Sequence, residues 1–325
     1  MLETRITDLL GIKYPILMGG MHWVSFSRMV AAVANAGGIG FIPSASFKSV
    51  DALRDEIKKT RDLTDGPIGL NISLLPNVDP GEIVMDFLEL GVKENVAAFE
   101  TAGRAPDRFI PIAKEANIPV IHKVPQVRFA KKAEDIGADA VIVVGFECGG
   151  YIGQAEITTQ ILVNKASKVL NIPVIAGGGI ADGRGLVAAL ALGAEGILMG
   201  TRFLASEEAS IHKNFKDWII NATENDTTVL LRSMSISVRS IKNEAANKLR
   251  EIEANGGSIE EIFAFASGKM GKDSNENGDV ESGMISMGEG VGLIDDIKTI
   301  NEIVKDIVSE AEEVMGSLNK TFEIA

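Results

Sequence analysis

The chain reads as a closed (β/α)8 barrel followed by a helical extension, and three observations lead there. Short β-branched or apolar runs alternate with amphipathic stretches from the start of the chain to residue 206. Eight such runs fall in that span, the number one barrel needs. The glycines able to hold an anion come late, in "AGGGIADGRG" (176–185) and "MGTRF" (199–203), where a barrel places a phosphate site. A doubly wound open sheet is the alternative, but it calls for a glycine-rich turn after the first strand.

The runs, in order, are "YPILMGG" (14–20), "GIGFIPSA" (38–45), "PIGLNISLL" (67–75), "VAAFETA" (96–102), "PVIHKV" (119–124), "AVIVVGF" (140–146), "PVIAGGG" (173–179) and "GILMGTRFL" (196–204). Each pair is separated by a plausible helix, the first being "SFSRMVAAVANAGG" (25–38). After Ser206 the rhythm stops, which divides the chain into a barrel over 1–206 and a helical lid with a terminal helix over 207–325. Ile297, Ile300, Ile303, Val304, Ile307, Val308 and Ala311 form one stripe in 295–318, so this last helix packs against the barrel. The polar segment "GKDSNENGDVES" (271–282) reads as a surface loop, and 207–285 as a helical cap.

Composition narrows the function. With 325 residues and 46% hydrophobic side chains the chain can bury a large core. A net charge of −13 argues against binding nucleic-acid phosphates. Cys148 is the lone cysteine, so no intrachain disulfide forms, and His22, His122 and His212 lie too far apart to join it in a metal site. The amino terminus lacks the apolar core of a signal peptide, and no apolar run approaches the roughly 20 residues of a spanning helix. A cytoplasmic protein without stable membrane insertion is expected.

Several residues could carry chemistry. Gly177, Gly178, Gly179, Gly183 and Gly185 let backbone amides approach an anion, or else they are packing glycines; Gly200 and Thr201 at the next strand end favour the anion. Lys123 ends the fifth strand, where a fixed cation serves a reduced flavin, or where it pairs with Glu100. Asn71 is an amide on an apolar strand that needs partners, from a ligand or from the core. Cys148 has no visible activating group and reads as a small filler. His22 is a proton donor at the mouth or a structural histidine, and His212 a surface residue.

The motifs "PILMGGMHWV", "AAVANAGG", "DLTDGPIGLNISLLP", "ETAG", "VIHK", "GFECGGYIG" and "GGGIADGRGLVAALALGAEGILMGTRFLA", with "GLIDD" near the end, together resemble the nitronate monooxygenase (2-nitropropane dioxygenase-like) flavoprotein family, and most of all its NADH:quinone reductase branch. The resemblance implies a barrel holding FMN, with the phosphate on Gly178, Gly179, Gly200 and Thr201 beside Met199. It places the ring near Gly20, Met21, Asn71, Lys123 and Gly150, with Ser286 and Gly288 joining from the carboxy-terminal part. It implies NADH or NADPH as donor and Pro76 and Pro80 at the nicotinamide site, although Val78 stands where the family's glutamine is expected.

The main departure is Tyr151, which follows "GG" where the family has a histidine. A histidine with a pKa of about 6.5 takes a proton near neutrality, whereas a tyrosine at about 10 stays a neutral donor. Lys123, His22 and Tyr151 are the candidate catalytic residues, and Tyr151 favours reduction of a quinone-like or other electron-poor small molecule. Nitronate oxidation, enoyl-thioester reduction and a flavin-bound subunit without turnover remain alternatives. A homodimer is compatible with all of them.

Overall fold

In the computed structural model, which describes residues 2–74, 82–234, 236–266 and 268–322, all eight runs become strands of one closed parallel barrel. They are β1 (Ile16–Met18), β2 (Ile39–Pro43), β3 (Ile68–Leu74), β4 (Ala98–Gly103), β5 (Val120–Val124) and β6 (Ala140–Val144). After a short strand outside the barrel, β7 (Gly150–Ile152), come β8 (Val174–Gly177) and β9 (Gly196–Met199). β9 pairs with β1, Leu198 beside Leu17, and that closure makes the fold a TIM barrel rather than an open sheet.

Strand alternation sorts the side chains into two cores. Leu17, Ile39, Phe41, Ala98, Ile121, Ile142, Ile175 and Leu198 fill the interior, and Ile6 and Leu10 of the helix Arg5–Leu10 join them. That helix covers the end where the strands begin, since the Thr4 hydroxyl donates to the Glu195 carbonyl just before β9 at 2.7 Å. Outward residues such as Ile16, Leu70, Phe99, Val141 and Ile197 pack beneath the helices. By the same alternation Asn71, Glu100 and Lys123 face inward near the opposite end, Glu100 two residues beyond Ala98 and Lys123 two beyond Ile121.

The extension departs from a purely helical cap. Two strands, β10 (Thr227–Leu230) and β11 (Ser237–Ile241), form an antiparallel sheet with β7, in the order β10-β11-β7. "TTVL" and "SVRSI" are β-branched but short, and β7 is a glycine-led triplet, so no run is long enough to show a period of two. The segment read as a surface loop is also corrected: the helix Gly268–Asn277 runs through it, with Ser274 buried and its hydroxyl donating to the Asp279 carbonyl at 2.6 Å. Packing and the Lys272–Glu276 pair one turn apart outweigh the poor helix propensity of Asn, Asp and Gly.

The terminal helix spans Ile300–Thr321, starting later than the stripe suggested because Thr299 caps it in a capping box with Glu302. Ile300, Ile303, Val304, Ile307 and Ala311 are buried, whereas Ile297 lies before the helix and is half-buried. The helix sits against Gly183–Ala191: a Cβ on Gly183 would lie 2.5 Å from the Ile307 carbonyl oxygen.

Candidate active site

Glu100 is the centre of the barrel mouth. Its side chain is wholly buried and accepts three hydrogen bonds: Lys123 Nζ at 2.8 Å on Oε1, and Asn71 Nδ2 at 2.8 Å and the Gly20 amide at 3.0 Å on Oε2. Three of the residues expected around a flavin ring are thereby joined through a carboxylate that the sequence offered only as a possible partner of Lys123. Burial alone would depress the Lys123 ammonium, but the charge and hydrogen bond of Glu100 outweigh it, and its pKa stays raised. Gly20 is required where it stands, because a Cβ there would lie 2.4 Å from the Asn71 Cβ.

The glycine-rich side of the mouth separates into two uses. Gly178 and Gly179, just past β8, adopt φ of +105° and +72°, a backbone that a side chain would strain. Gly200 caps the short helix Thr201–Leu204 with no side-chain cap, and a Cβ added there would meet only the Met21 sulfur at 3.5 Å. Gly183 and Gly185 are not available: their amides donate to Glu310 Oε2 at 2.8 Å and Asp182 Oδ1 at 2.7 Å. The helix start that looked ready for a phosphate is occupied by this chain's own carboxylates. Met199 sends its side chain into the outer core, so only its backbone adjoins the mouth, its carbonyl accepting from the Gly19 amide at 3.3 Å.

The extension completes the rim. The Gly288 amide donates to Thr201 Oγ1 at 3.0 Å, and Gly150 faces the Ser286 hydroxyl, 3.6 Å from where its Cβ would be. Thus Gly150, Thr201, Ser286 and Gly288, far apart in sequence, meet at one place. Arg239, which no motif or spacing singles out, organises this junction. On β11, buried to 3% exposure, it donates from Nε and Nη2 to the Phe146 carbonyl at 3.1 and 3.0 Å, and from Nη1 to Thr227 Oγ1 at 3.1 Å. It also pairs with Glu289 at 2.9 Å and stacks on the Phe146 ring. One guanidinium ties the loop before Tyr151 to the loop after Gly288.

Tyr151 lies on β7 opposite Val238, 55% exposed, and burial of the remainder pushes its phenol above the usual value. It is a neutral donor at physiological pH. Cys148 is half-buried, and burial raises its pKa, so it stays a thiol as expected of a filler. His22 sits on the rim with Nε2 3.0 Å from the Ala45 carbonyl and its ring stacked on Trp23; burial lowers its pKa, which leaves the ring neutral. His212 is an exposed helix cap, its Nδ1 accepting from the Asn214 amide. His122 faces away from the mouth, 2.9 Å from Thr101 Oγ1, and burial with the nearby Lys123 charge lowers its pKa to about 4. Pro76, Val78 and Pro80 lie outside the described residues.

These residues fit FMN. Two left-handed glycines and an uncapped helix turn form a cradle that side chains would fill, and an amide and an ammonium stand on the inner strands. Among the described residues no group of His, Cys, Asp and Glu is arranged to hold a metal ion, and no helix is long and apolar enough to cross a membrane.

Comparison with known proteins bears on the same site. The family model described as nitronate monooxygenase matches residues 3–310. A (3aS,4S,5R,7aS)-5-hydroxy-7a-methyl-1-oxo-octahydro-1H-indene-4-carboxyl-CoA dehydrogenase from Rhodococcus jostii is 32% identical, with 98% of each chain covered. A "Probable nitronate monooxygenase" from Staphylococcus saprophyticus is 31% identical, covering 97% of this chain and 99% of its own. Among solved structures, FabK from Thermotoga maritima superposes with a TM-score of 0.93 at 40% identity, over 99% of this chain and 100% of its own. A nitroalkane oxidase from Streptomyces ansochromogenes does so with a TM-score of 0.83 at 25% identity, over 96% and 99%.

Proposed function

This chain belongs to the nitronate monooxygenase family, and from that premise we propose that it is an FMN-dependent reductase in which NADH or NADPH supplies electrons and an electron-poor, carbonyl-bearing acceptor receives them. The observation that carries this reading is Tyr151, a phenol with a raised pKa that follows Gly150 of the rim on β7, where the motif resemblance expects a base. FMN, when bound, supplies the hydride transfer. The chain's own residues do the rest: Gly178, Gly179, Gly200 and Thr201 hold the phosphate, and Gly20, Met21, Asn71, Lys123 and Gly150 hold the ring. Ser286 and Gly288 close the rim. Tyr151 donates a hydrogen bond to the acceptor's carbonyl oxygen and stabilises the negative charge that develops there.

Residues 1–206 form the binding barrel in this reading, and 207–325 supply a lid over its mouth and the terminal helix that packs on the barrel. Pro76 and Pro80 remain the candidates for contact with the nicotinamide. The chain works in a reducing cytoplasm, and a homodimer fits the reading equally well.

Two acceptor classes compete. Quinones follow from the motif resemblance. An enoyl thioester gains weight from the likeness to FabK, which fits an enoyl reductase, and from a relative whose name carries a CoA thioester. Nitronate oxidation ranks below both, because Tyr151 is a poor base and His22 is held by Ala45. Steady-state NAD(P)H consumption by the FMN-loaded protein with benzoquinones, crotonyl-CoA and a nitronate separates them. Turnover with a quinone or enoyl thioester supports the reductase and names its acceptor. Nucleotide-independent oxidation of the nitronate as the only activity refutes it.

A further inference from the structure

Glu100 is more deeply buried than any other charged side chain among the described residues, at 0% exposure against 3% for Arg239 and 6% for Arg202. It touches no solvent, so its placement serves its neighbours. Its donors come from the loop after β1, from β3 and from β5, three separate elements at one height in the barrel.

A carboxylate only accepts hydrogen bonds, so the end of the Asn71 amide that faces it must be the nitrogen. The carbonyl oxygen is thereby turned away. Asn71 is 6% exposed, and its Oδ1 accepts from no donor among the described residues. No fully enclosed side-chain oxygen or nitrogen among them lacks a partner, so Oδ1 opens onto the mouth. An acceptor left open in so dry a place calls for an N–H or O–H from a ligand. Lys123 is the complement: one donor goes to Glu100, its side chain keeps 24% exposure, and an ammonium has two more donors to give.

We propose that Glu100 is the positioning residue of the cofactor pocket, fixing the Asn71 carbonyl oxygen and the Lys123 ammonium as an acceptor and a cationic donor, side by side, for the ring of FMN. The proposal rests on the FMN reading given above. Without the carboxylate the Asn71 amide is free to turn over, and the Lys123 ammonium loses the counter-charge and the acceptor that hold it in place. Glu100 itself reaches neither ring nor substrate, since its side chain is wholly buried behind the groups that donate to it.

The test is FMN binding and the reduction potential of the bound flavin in Glu100→Gln, a change of charge with almost no change of volume. The FMN dissociation constant rises about tenfold, the worth of one hydrogen bond to a charged group, and the potential departs from the wild-type value as the placed ammonium and amide are released. In an Asn71→Ala, Lys123→Met background the same substitution changes affinity by less than about twofold, because the groups it acts through are gone. Wild-type affinity and potential in Glu100→Gln, or a full tenfold loss persisting in that background, overturns the proposal. If Glu100→Gln does not fold, Asn71→Leu carries the test, since it keeps the Glu100–Lys123 pair: about tenfold weaker FMN binding at unchanged melting temperature supports the proposal, and wild-type binding overturns it. A wild-type chain that takes up no FMN refutes the cofactor reading and this proposal with it. A wild-type chain that binds FMN no better than Glu100→Gln refutes the proposal alone.

Discussion

In the proposed reading Tyr151 stands as a hydrogen-bond donor where a base would serve oxidation, and the consequences are specific. Tyr151→Phe removes the hydroxyl assigned to the acceptor's oxygen. It slows the acceptor half-reaction by about 10²-fold while reduction of the flavin by nucleotide persists. Stopped-flow half-reactions with the reverse pattern remove that role. Tyr151→His restores a group that takes a proton near neutrality, so nitronate oxidation rises in the folded, FMN-replete variant; an unchanged rate counts against the assignment. His122 supplies a test of the fold by pH. Its folded pKa, about 4, lies below its free value, so the unfolded chain takes up the proton first as pH drops. Stability is fully present above the free value of about 6.5 and declines as pH falls toward 4, by up to about 3 kcal/mol. Denaturant unfolding of His122→Gln shows a correspondingly shallower loss over that window. At this scale the sequence was legible where a side chain was out of place for its strand. Asn71 and Lys123 announce themselves as polar groups on apolar runs, whereas Glu100 enters only as a partner for Lys123, and which alternative holds depends on register between strands. The structure makes the pairing with Glu100 and the place at the mouth both true, through one carboxylate.

Elements decide how the mouth is closed. β7 carries Tyr151 and pairs with β11, and Arg239 on β11 grips both the Phe146 carbonyl and Glu289. This sheet was hidden in the sequence because a three-residue strand shows no period, and because Arg239 in "SVRSI" has the ordinary look of an exposed strand residue. Arg239→Ala leaves Glu289 and a buried carbonyl without their donor, a cost of about 3 kcal/mol. Lysine at the same position cannot bridge the two and recovers little of the loss. The melting temperature and the acceptor half-reaction should fall together in both variants, and a wild-type half-reaction in Arg239→Lys separates the clamp from Tyr151. The glycines taught the opposite lesson. One cluster in sequence serves two purposes, because Gly178 and Gly179 turn left-handed at the strand end while Gly183 lets two helices touch. Composition cannot tell these apart. Gly179→Ala puts a Cβ at φ +72° and 3.1 Å from the Glu147 Cβ, and so should weaken FMN binding about tenfold for a cost of about 1–2 kcal/mol. Equal FMN affinity in the variant places the phosphate elsewhere.

At the level of the whole molecule the barrel was legible because its evidence is redundant. Eight apolar runs, each separated by helical spacing, point to one closed sheet, and no single boundary has to be right for the count to hold. The extension had no such redundancy, and its sheet and its helix Gly268–Asn277 were set by packing against the mouth rather than by local preference. The terminal helix braces the barrel from outside: Ile303 and Ile307 bury against the barrel's outer layer, and Glu310 occupies the start of the helix Gly183–Ala191. Ile303→Ala should cost about 2–5 kcal/mol in denaturant unfolding without changing FMN affinity, which locates the cofactor in the mouth and not beneath the brace. Anaerobic stopped-flow mixing of the FMN-loaded protein with NADH and with NADPH, followed at the oxidised-flavin band, asks whether the mouth passes hydride from a nicotinamide to FMN. Rapid bleaching by one nucleotide is expected of the proposed reductase; a flavin that stays oxidised with both rules it out.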